Sequence, residues 1–480
     1  MITLFVLLSI GMNLADNEEI IWRIQFCFRI LEQYYWLINA YTLDFFSCDH
    51  WSKLPWSWQK FLPSVGPVEL SRWIESGEQR RVWPLSLLCY RRLTRISSLD
   101  RKPVSNLESL EKLIGRPLSN EENATFESPS EEITSAAQQH KDLLNIFRKH
   151  VKSKKQHEIF RIGKVCTLCA SATSCHNVLD IGSGVGHLAR FLHYGLNFTV
   201  ACLEAESEFN SSAERFDMDL KIAVENMGKT PRRPPLHVVC RLTSNTDIET
   251  LHKMTYPVFD GGFGIIGLHT CGDLVPYMLR YFAASEKIRY LVSAGCCYMK
   301  MTSDCLGTNN PGYPVSDFVG NFKGVPLEYE SREVACHALE MYLKRLNDNE
   351  VEKLKIHCYR AALECILVSI DPSLKRSGLR SVKNAHCMPF NSYAMEAVKK
   401  MDINLDKKEL QSVETLKRLS RWQEVYKFYT IRLMLAPVIE TVILLDRLLF
   451  LKERGFRATI LPLFDPVLSA RNLTIVAMKL

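Results

Sequence analysis

The chain has 480 residues, 47% hydrophobic and 24% charged, with 60 basic against 53 acidic side chains and a net charge of +7. These fractions exclude a disordered chain, a collagen-like fibre and a small disulfide scaffold. The length exceeds one ordinary core, so two domains, or one with a large insertion, are expected, and the mild positive excess permits an acidic partner without demanding one.

Met1–Ile10 is an apolar run resembling a signal core. No Lys or Arg precedes it, and no small-x-small cleavage site follows before the acidic Asp16–Glu19 stretch, so a buried or irregular start is expected instead of a leader. The sixteen cysteines are about 3% of the chain, and Cys202, Cys240 and Cys365 fall inside apolar runs. That usage points to a reduced, intracellular protein, cytoplasmic or nuclear.

Residues 1–114 are read as a helical N-terminal domain, with apolar periodicity over Ile20–Leu43 and seven of the eight tryptophans before residue 84. Those tryptophans are expected to be its core, ahead of a stacking surface for bases. Residues 115–140 form an acidic linker or loop: Gly115–Gln139 carries five glutamates and no basic residue after Arg116. The charge then reverses, with seven Lys/Arg against one Glu over Phe147–Lys164. Such a run is most often a solvated helix face, but this one leads directly into the main motif.

His176–Leu188 reads HNVLDIGSGVGHL, a short apolar strand, a glycine loop and the start of a helix. Glycines there let a ligand approach the backbone at the helix N-terminus. Two patterns compete, a dinucleotide-type Gly184-Val-Gly186-His-Leu-Ala189 and an acid-led Asp180-x-Gly182-Ser183-Gly184-x-Gly186. Electrostatics separates them, since a carboxylate at the mouth of the loop repels a pyrophosphate but attracts the sulfonium and ammonium of S-adenosylmethionine. A second apolar strand, Phe198–Leu203, ends in Glu204, placed to take ribose hydroxyls. Asp247, after the third strand, joins the expected cofactor contacts, as does His269.

Further strands are expected at Leu236–Leu242, Phe263–His269 and Ile288–Ala294, with helices between, giving a doubly wound parallel α/β sheet over residues 141–300. Ala458–Phe464 and Leu473–Lys479 are joined by too short a loop for a crossover, so the last strand is antiparallel. That arrangement is similar to Rossmann-like methyltransferases. Residues 301–427 become a helical insertion after strand 5, emerging on the ligand side as the expected acceptor-recognition element. It carries Lys375, Arg376, Arg380, Lys383, Lys417, Arg418 and Arg421. Residues 428–480 complete the core. Leu433–Leu451 has the length of a bilayer span, but Glu440, Asp446 and Arg447 make a buried crossover helix the preferred reading over a single-pass anchor.

Strands four and five end in GLHTCGDL (Gly267–Leu274) and SAGCCYMKM (Ser293–Met301), so His269, Cys271, Cys296 and Cys297 should converge. Three readings stand side by side: packing of small residues around the cofactor, which is preferred; His269 as a general base assisted by Asp273; and zinc ligation, for which the H-x-C and C-C spacings are unusual. Cys166-x-x-Cys169 with Cys175-His176 is read as core and loop thiols in preference to a metal site.

KKQHEI (Lys154–Ile159), LDIGSGVGHL (Leu179–Leu188), GLHTCGDL and GCCYMK (Gly295–Lys300) closely resemble the methyltransferase-like protein 25 family, as do LPWSWQ, REVACHALE, HCYRAALE and SARNL. The resemblance runs from about residue 30 to the end and implies a seven-strand class I methyltransferase using S-adenosylmethionine. Within that family the resemblance is nearest to the branch named for ribosomal RNA adenine dimethylation. Yet His269-Thr-Cys-Gly-Asp stands where an adenine amino group needs an Asn/Asp-Pro-Pro-aromatic run, and it looks more like transfer-RNA 2′-O-methyltransferases.

The leading expectation is therefore methylation of RNA at a 2′-O or a base, with Lys149, Lys152, Lys154, Lys155, His157 and the insertion's basic residues meeting it. The alternatives are a protein acceptor with the same cofactor site, and a non-catalytic binding subunit of the same fold.

Overall fold

The computed structural model describes residues 14, 16–119, 122, 125–126, 151–226, 228, 230, 232–256, 258–259, 261–303, 311–401 and 403–480. The apolar start, most of the acidic linker and Lys149 lie outside the described residues. The chain forms two compact units. The first takes residues up to 26, 99–324 and 440–480, and the second takes residues 27–98 and 325–439. Stretches read separately as an N-terminal domain and as an insertion thus build one unit over most of their length.

The first unit is a seven-stranded sheet in the order β3-β2-β1-β4-β5-β7-β6. Its strands are β1 Asn177–Ile181, β2 Thr199–Glu204, β3 Leu236–Val239, β4 Phe263–Thr270, β5 Ile288–Gly295, β6 Arg457–Pro462 and β7 Leu473–Met478. β1 to β5 run parallel, and β7 lies antiparallel to both β5 and β6. β1, β4 and β5 are near-continuous apolar runs because helices cover both faces of a parallel sheet. β3, an edge strand, is only half-buried and stops three residues short of the expected end.

The connecting helices are α1 Ser153–Thr173, α2 His187–Arg190, α3 Ser207–Asn226, α4 Ile248–Thr255, α5 Leu274–Ala284 and α6 Ala436–Glu453. After one turn α2 widens into a π-helical turn over Phe191–Gly195. α1 contributes Ile159, Ile162, Val165, Cys166 and Cys169 to a buried core with Val178, Val200, Ile266, Val292 and Val476. Cys166 and Cys169 are therefore core thiols, and burial pushes both well above the usual thiol range. Cys175 is held in the loop by donating to the Gly262 carbonyl at 3.1 Å.

Strand order reverses between β1 and β4, so their carboxyl ends open the crevice where such sheets bind ligands. The β4–β5 seam depends on Gly264, whose register partner is Tyr290. A Cβ on Gly264 would meet the Tyr290 ring at 2.1 Å. Gly264→Ala is expected to cost about 2–3 kcal/mol in a urea melt, the range for overpacking a filled core; a change below about 0.5 kcal/mol would show that the ring can move aside.

Leu433–Leu451 is not one continuous helix. It breaks at Met434–Leu435, between the helix Trp422–Leu433 and α6. Among the described residues, no helix is long and apolar enough to cross a membrane. Glu440, Asp446 and Arg447 of α6 are all buried, the two acids with hydrogen-bond partners, while Nε and Nη1 of Arg447 have none among the described residues. Glu440 accepts from Arg101 and from the Tyr298 hydroxyl, at 2.9 Å for the latter. Asp446 accepts the Val315 and Ser316 amides at 2.8 and 2.9 Å.

The second unit is helical. Trp73 stacks on Trp83 at 4.1 Å, and Trp58 is buried and donates to Ser86 Oγ at 2.9 Å. Trp56, in contrast, is 73% exposed. A second core in this unit forms where Leu363, Ile366 and Leu367 of the helix Lys355–Ile370 meet Phe390 and Tyr393.

Candidate active site

The glycine loop leaves β1 at Asp180–Ile181 and returns as α2. Gly182, Gly184 and Gly186 all have positive φ, at 72°, 56° and 72°. Gly184 faces open space, so its backbone is free to approach a ligand. At Gly186 the reason is packing: a Cβ there would come within 3.2–3.3 Å of Arg190, Ala213 and His237. Arg190 reaches back to the Val185 carbonyl at 2.6 Å and pairs with Asp217 at 3.0 Å, so the loop is pinned to α3 before any ligand arrives.

Asp180 is 2% exposed, and its Oδ2 has no hydrogen-bond partner among the described residues. Burial pushes its carboxyl up to about 7, against the opposing charge of Lys155 and with a smaller push from Glu204. Lys155 offsets only part of that burial, so a further positive charge beside the carboxyl would favour its ionised form. Glu204, at the end of β2, accepts the amides of Gly184 and Ala205, both at 2.8 Å, and of Glu206 at 3.1 Å. Three donors leave a carboxylate with further acceptor capacity. The donor set therefore fits S-adenosylmethionine: Asp180 would face its positive charges and Glu204 would hold its ribose. Ser183 sits inside the loop, its carbonyl accepting the Gly186 amide at 3.0 Å. Asp247, on the loop after β3, caps α4 by accepting from the Thr250 amide at 2.7 Å.

β4 ends irregularly. Leu268 pairs with Ala294 and Thr270 with Gly295, so His269 is an extra residue bulged out of the ladder, with φ 65°. Bulges re-aim side chains, and this one brings His269 Nε2 to 2.8 Å from Glu158 Oε2 on α1. Glu158 is 1% exposed. Burial opposes its charge, but the hydrogen bond and charge of His269, with the charge of Lys154, outweigh it and hold the carboxyl below its usual value.

Glu158 is the residue that sequence reasoning missed, although it lies within KKQHEI. The expectation that Asp273 assists His269 needs correction. Asp273 Oδ1 instead accepts the Thr302 amide at 2.8 Å and ties down the segment after β5. The loop turns away into α5 before a side chain four residues on can serve the histidine.

His157 also needs correction as a substrate contact. It is completely buried, and its Nε2 accepts the Asp465 amide at 3.0 Å in the β6–β7 connection. His157→Ala is expected to lower stability by about 1–3 kcal/mol by leaving that amide unpaired, measured by thermal melting, with acceptor affinity unchanged. Lys154 is half-exposed and lies 3.6 Å from Glu158, while the charge of Lys155 acts on Asp180. Lys154 thus borders the Glu158–His269 pair and Lys155 the start of the glycine loop.

Cys271, Cys296 and Cys297 do converge, their sulfurs 3.2–3.4 Å apart. Hydrogen bonds from Cys296, then Cys297, with the charges of Lys300 and His269, hold the Cys271 thiol below its usual range despite burial.

Residues 154–304 match the family described as Methyltransferase domain. The chain is 30% identical over 225 residues to the human probable methyltransferase-like protein 25, covering 45% of this chain and 36% of that protein. The mouse protein of the same name is 30% identical over 228 residues, covering 45% and 37%. The match thus spans little more than a third of these relatives' length. Among solved structures, the plantazolicin methyltransferase BpumL in complex with SAH is 10% identical, with 65% of this chain and 92% of that one covered and a TM-score of 0.19. The related BamL, with a triazolic desmethylPZN analog and SAH, is 14% identical over 63% and 91%, also at 0.19.

Strand order, glycine loop and matched domain together define a class I methyltransferase fold with S-adenosylmethionine as its cofactor. Within that class the chain is related to methyltransferase-like protein 25 homologues.

Proposed function

We propose that the protein is an S-adenosylmethionine-dependent methyltransferase whose acceptor is a protein side chain. The observation that carries the enzymatic reading is Asp180, a buried carboxyl whose Oδ2 has no hydrogen-bond partner among the described residues, at the mouth of a glycine loop that Glu204 braces. S-adenosylmethionine supplies an electrophilic methyl group when bound. The chain's own contribution is orientation and proton handling. Glu158, held as a carboxylate, takes the Nε2 proton of His269 in a hydrogen bond, which leaves Nδ1 as the basic nitrogen for an acceptor proton.

The choice of acceptor class rests on the charges of the second unit. Four of the arginines expected to meet phosphates are paired with carboxylates of that unit: Arg376 with Asp44 and Glu330, Arg380 with Glu396, Arg418 with Glu414 and Arg421 with Glu424. Phosphate tracking needs free cations in a row, and paired ones suit a polypeptide better. Exposed Lys375, Lys383 and Lys417 keep an RNA acceptor as the second reading.

The deciding experiment is transfer of tritiated methyl from the cofactor into lysate of cells lacking the protein. Protease-sensitive label supports the proposal, RNase-sensitive label replaces it with the RNA reading, and absence of label favours a non-catalytic binding subunit.

A further inference from the structure

The thiol cluster at the ends of β4 and β5 lies beyond the methyl-transfer reading, which uses none of its sulfurs. Cys271 follows β4, whereas Cys296 and Cys297 follow β5, yet all three ligand atoms lie within 4.8 Å of one another. Pairwise the sulfurs are 3.3, 3.2 and 3.4 Å apart, nearly an equilateral triangle. A redox pair needs two thiols and would leave the third without a role. Packing of small residues needs no sulfur. Three sulfurs aimed at one point from two separate strand ends are what a thiophilic cation needs.

We infer that Cys271, Cys296 and Cys297 bind one zinc ion as three thiolate ligands. The H-x-C and C-C spacings look unusual along the chain because the donor set is assembled across the sheet. The linear spacings of zinc fingers and ribbons apply to ligands carried on local turns, so they do not constrain this set.

The geometry is close to what the ion requires. A zinc ion about 2.3 Å from each sulfur sits about 1.3 Å off the plane of this triangle. Opening each edge by about 0.4 Å gives the ~3.8 Å edge of a regular tetrahedron. The three cysteines are half-buried, which leaves an entry path. Three thiolates and one zinc carry a net charge of −1, and the Lys300 ammonium acts on the same cluster.

His269 does not complete the set. Its carbonyl oxygen lies 3.4 and 3.5 Å from the sulfurs of Cys271 and Cys296, while its ring is held by Glu158. The fourth ligand therefore comes from outside these side chains. Three protein ligands with one exchangeable position distinguish catalytic zinc sites from closed structural ones.

The test is metal analysis of the full chain purified without chelator, followed by cobalt(II) titration of the chelated protein. About one zinc per chain is expected, along with a thiolate-to-cobalt charge-transfer band. Cys271→Ser and Cys297→Ser should each reduce bound zinc at least tenfold, and Cys387→Ser, far from the cluster in sequence and exposed, should not. S-adenosylmethionine binding by calorimetry reports whether the variants fold. Wild-type protein that holds no zinc and gives no cobalt band overturns the inference, as does zinc retained in both cluster variants or a disulfide between any two of the three in freshly isolated protein. None of these readouts depends on an acceptor, so they stand apart from the fate of the methyl-transfer proposal.

Discussion

Asp180→Asn is expected to abolish S-adenosylmethionine binding and, at pH 8, to raise the melting temperature of the cofactor-free protein. Both effects follow from one buried carboxyl whose pKa is pushed up to about 7. In the unfolded chain that group titrates near 3.9, so between about pH 4 and 7 the folded protein holds a proton that the unfolded chain has released. The stability linked to that proton is fully present below about pH 4 and is lost as pH rises through 7, a decline on the order of 2–4 kcal/mol. Asparagine cannot ionise, and the variant should lack this part of the decline. The cofactor's positive charges favour the carboxylate, so wild-type affinity should tighten about tenfold from pH 5.5 to 7 as the ionised fraction grows. Calorimetry and thermal melts across that range check both arms. Equal binding by wild type and variant would remove the electrostatic argument for the site.

His269→Asn is expected to lower the methyl-transfer rate about 10²-fold or more while leaving cofactor affinity within about twofold. Asparagine is the right replacement because position 269 has φ 65°, a left-handed conformation that it tolerates better than alanine. Glu158→Gln should cost about 10- to 100-fold, the usual effect of removing a residue that orients a reacting histidine. Steady-state kinetics on the acceptor found by tritium transfer measures both. Undiminished turnover in His269→Asn would reduce the pair to a structural brace.

The glycine loop is legible in the sequence because its logic is local. Asp180, the three glycines and Glu204 lie within 25 positions, and strand, turn and acid can be read in order along the chain. The sheet order follows from alternation of apolar strands with helices, and the antiparallel last strand from one short connection. The Glu158–His269 pair is hidden because its partners are 111 residues apart and meet through a one-residue bulge. Nothing in the sequence of β4, FGIIGLHT, announces that bulge. His157 misleads because a helix turns its neighbours to different faces. Lys154 faces Glu158 and Lys155 acts on Asp180, while His157, two positions on, sits in the core. Asp273 is near His269 in sequence, but the turn into α5 carries it off to Thr302.

The division of the chain into units has a consequence for synthesis. Residues 27–98 belong to the same compact body as 325–439, and all of 99–324 must be translated between them. Domains generally fold as they leave the ribosome, N-terminal first, but here the first helices emerge long before their partners exist. During that interval the buried Ser71 and Tyr90 hydroxyls lack the Leu343 and Ile431 carbonyls that later accept them. The nascent chain should therefore bind holdase chaperones through this segment, and ribosome-bound intermediates stalled before residue 325 should be more protease-sensitive over residues 27–98 than those stalled after 439.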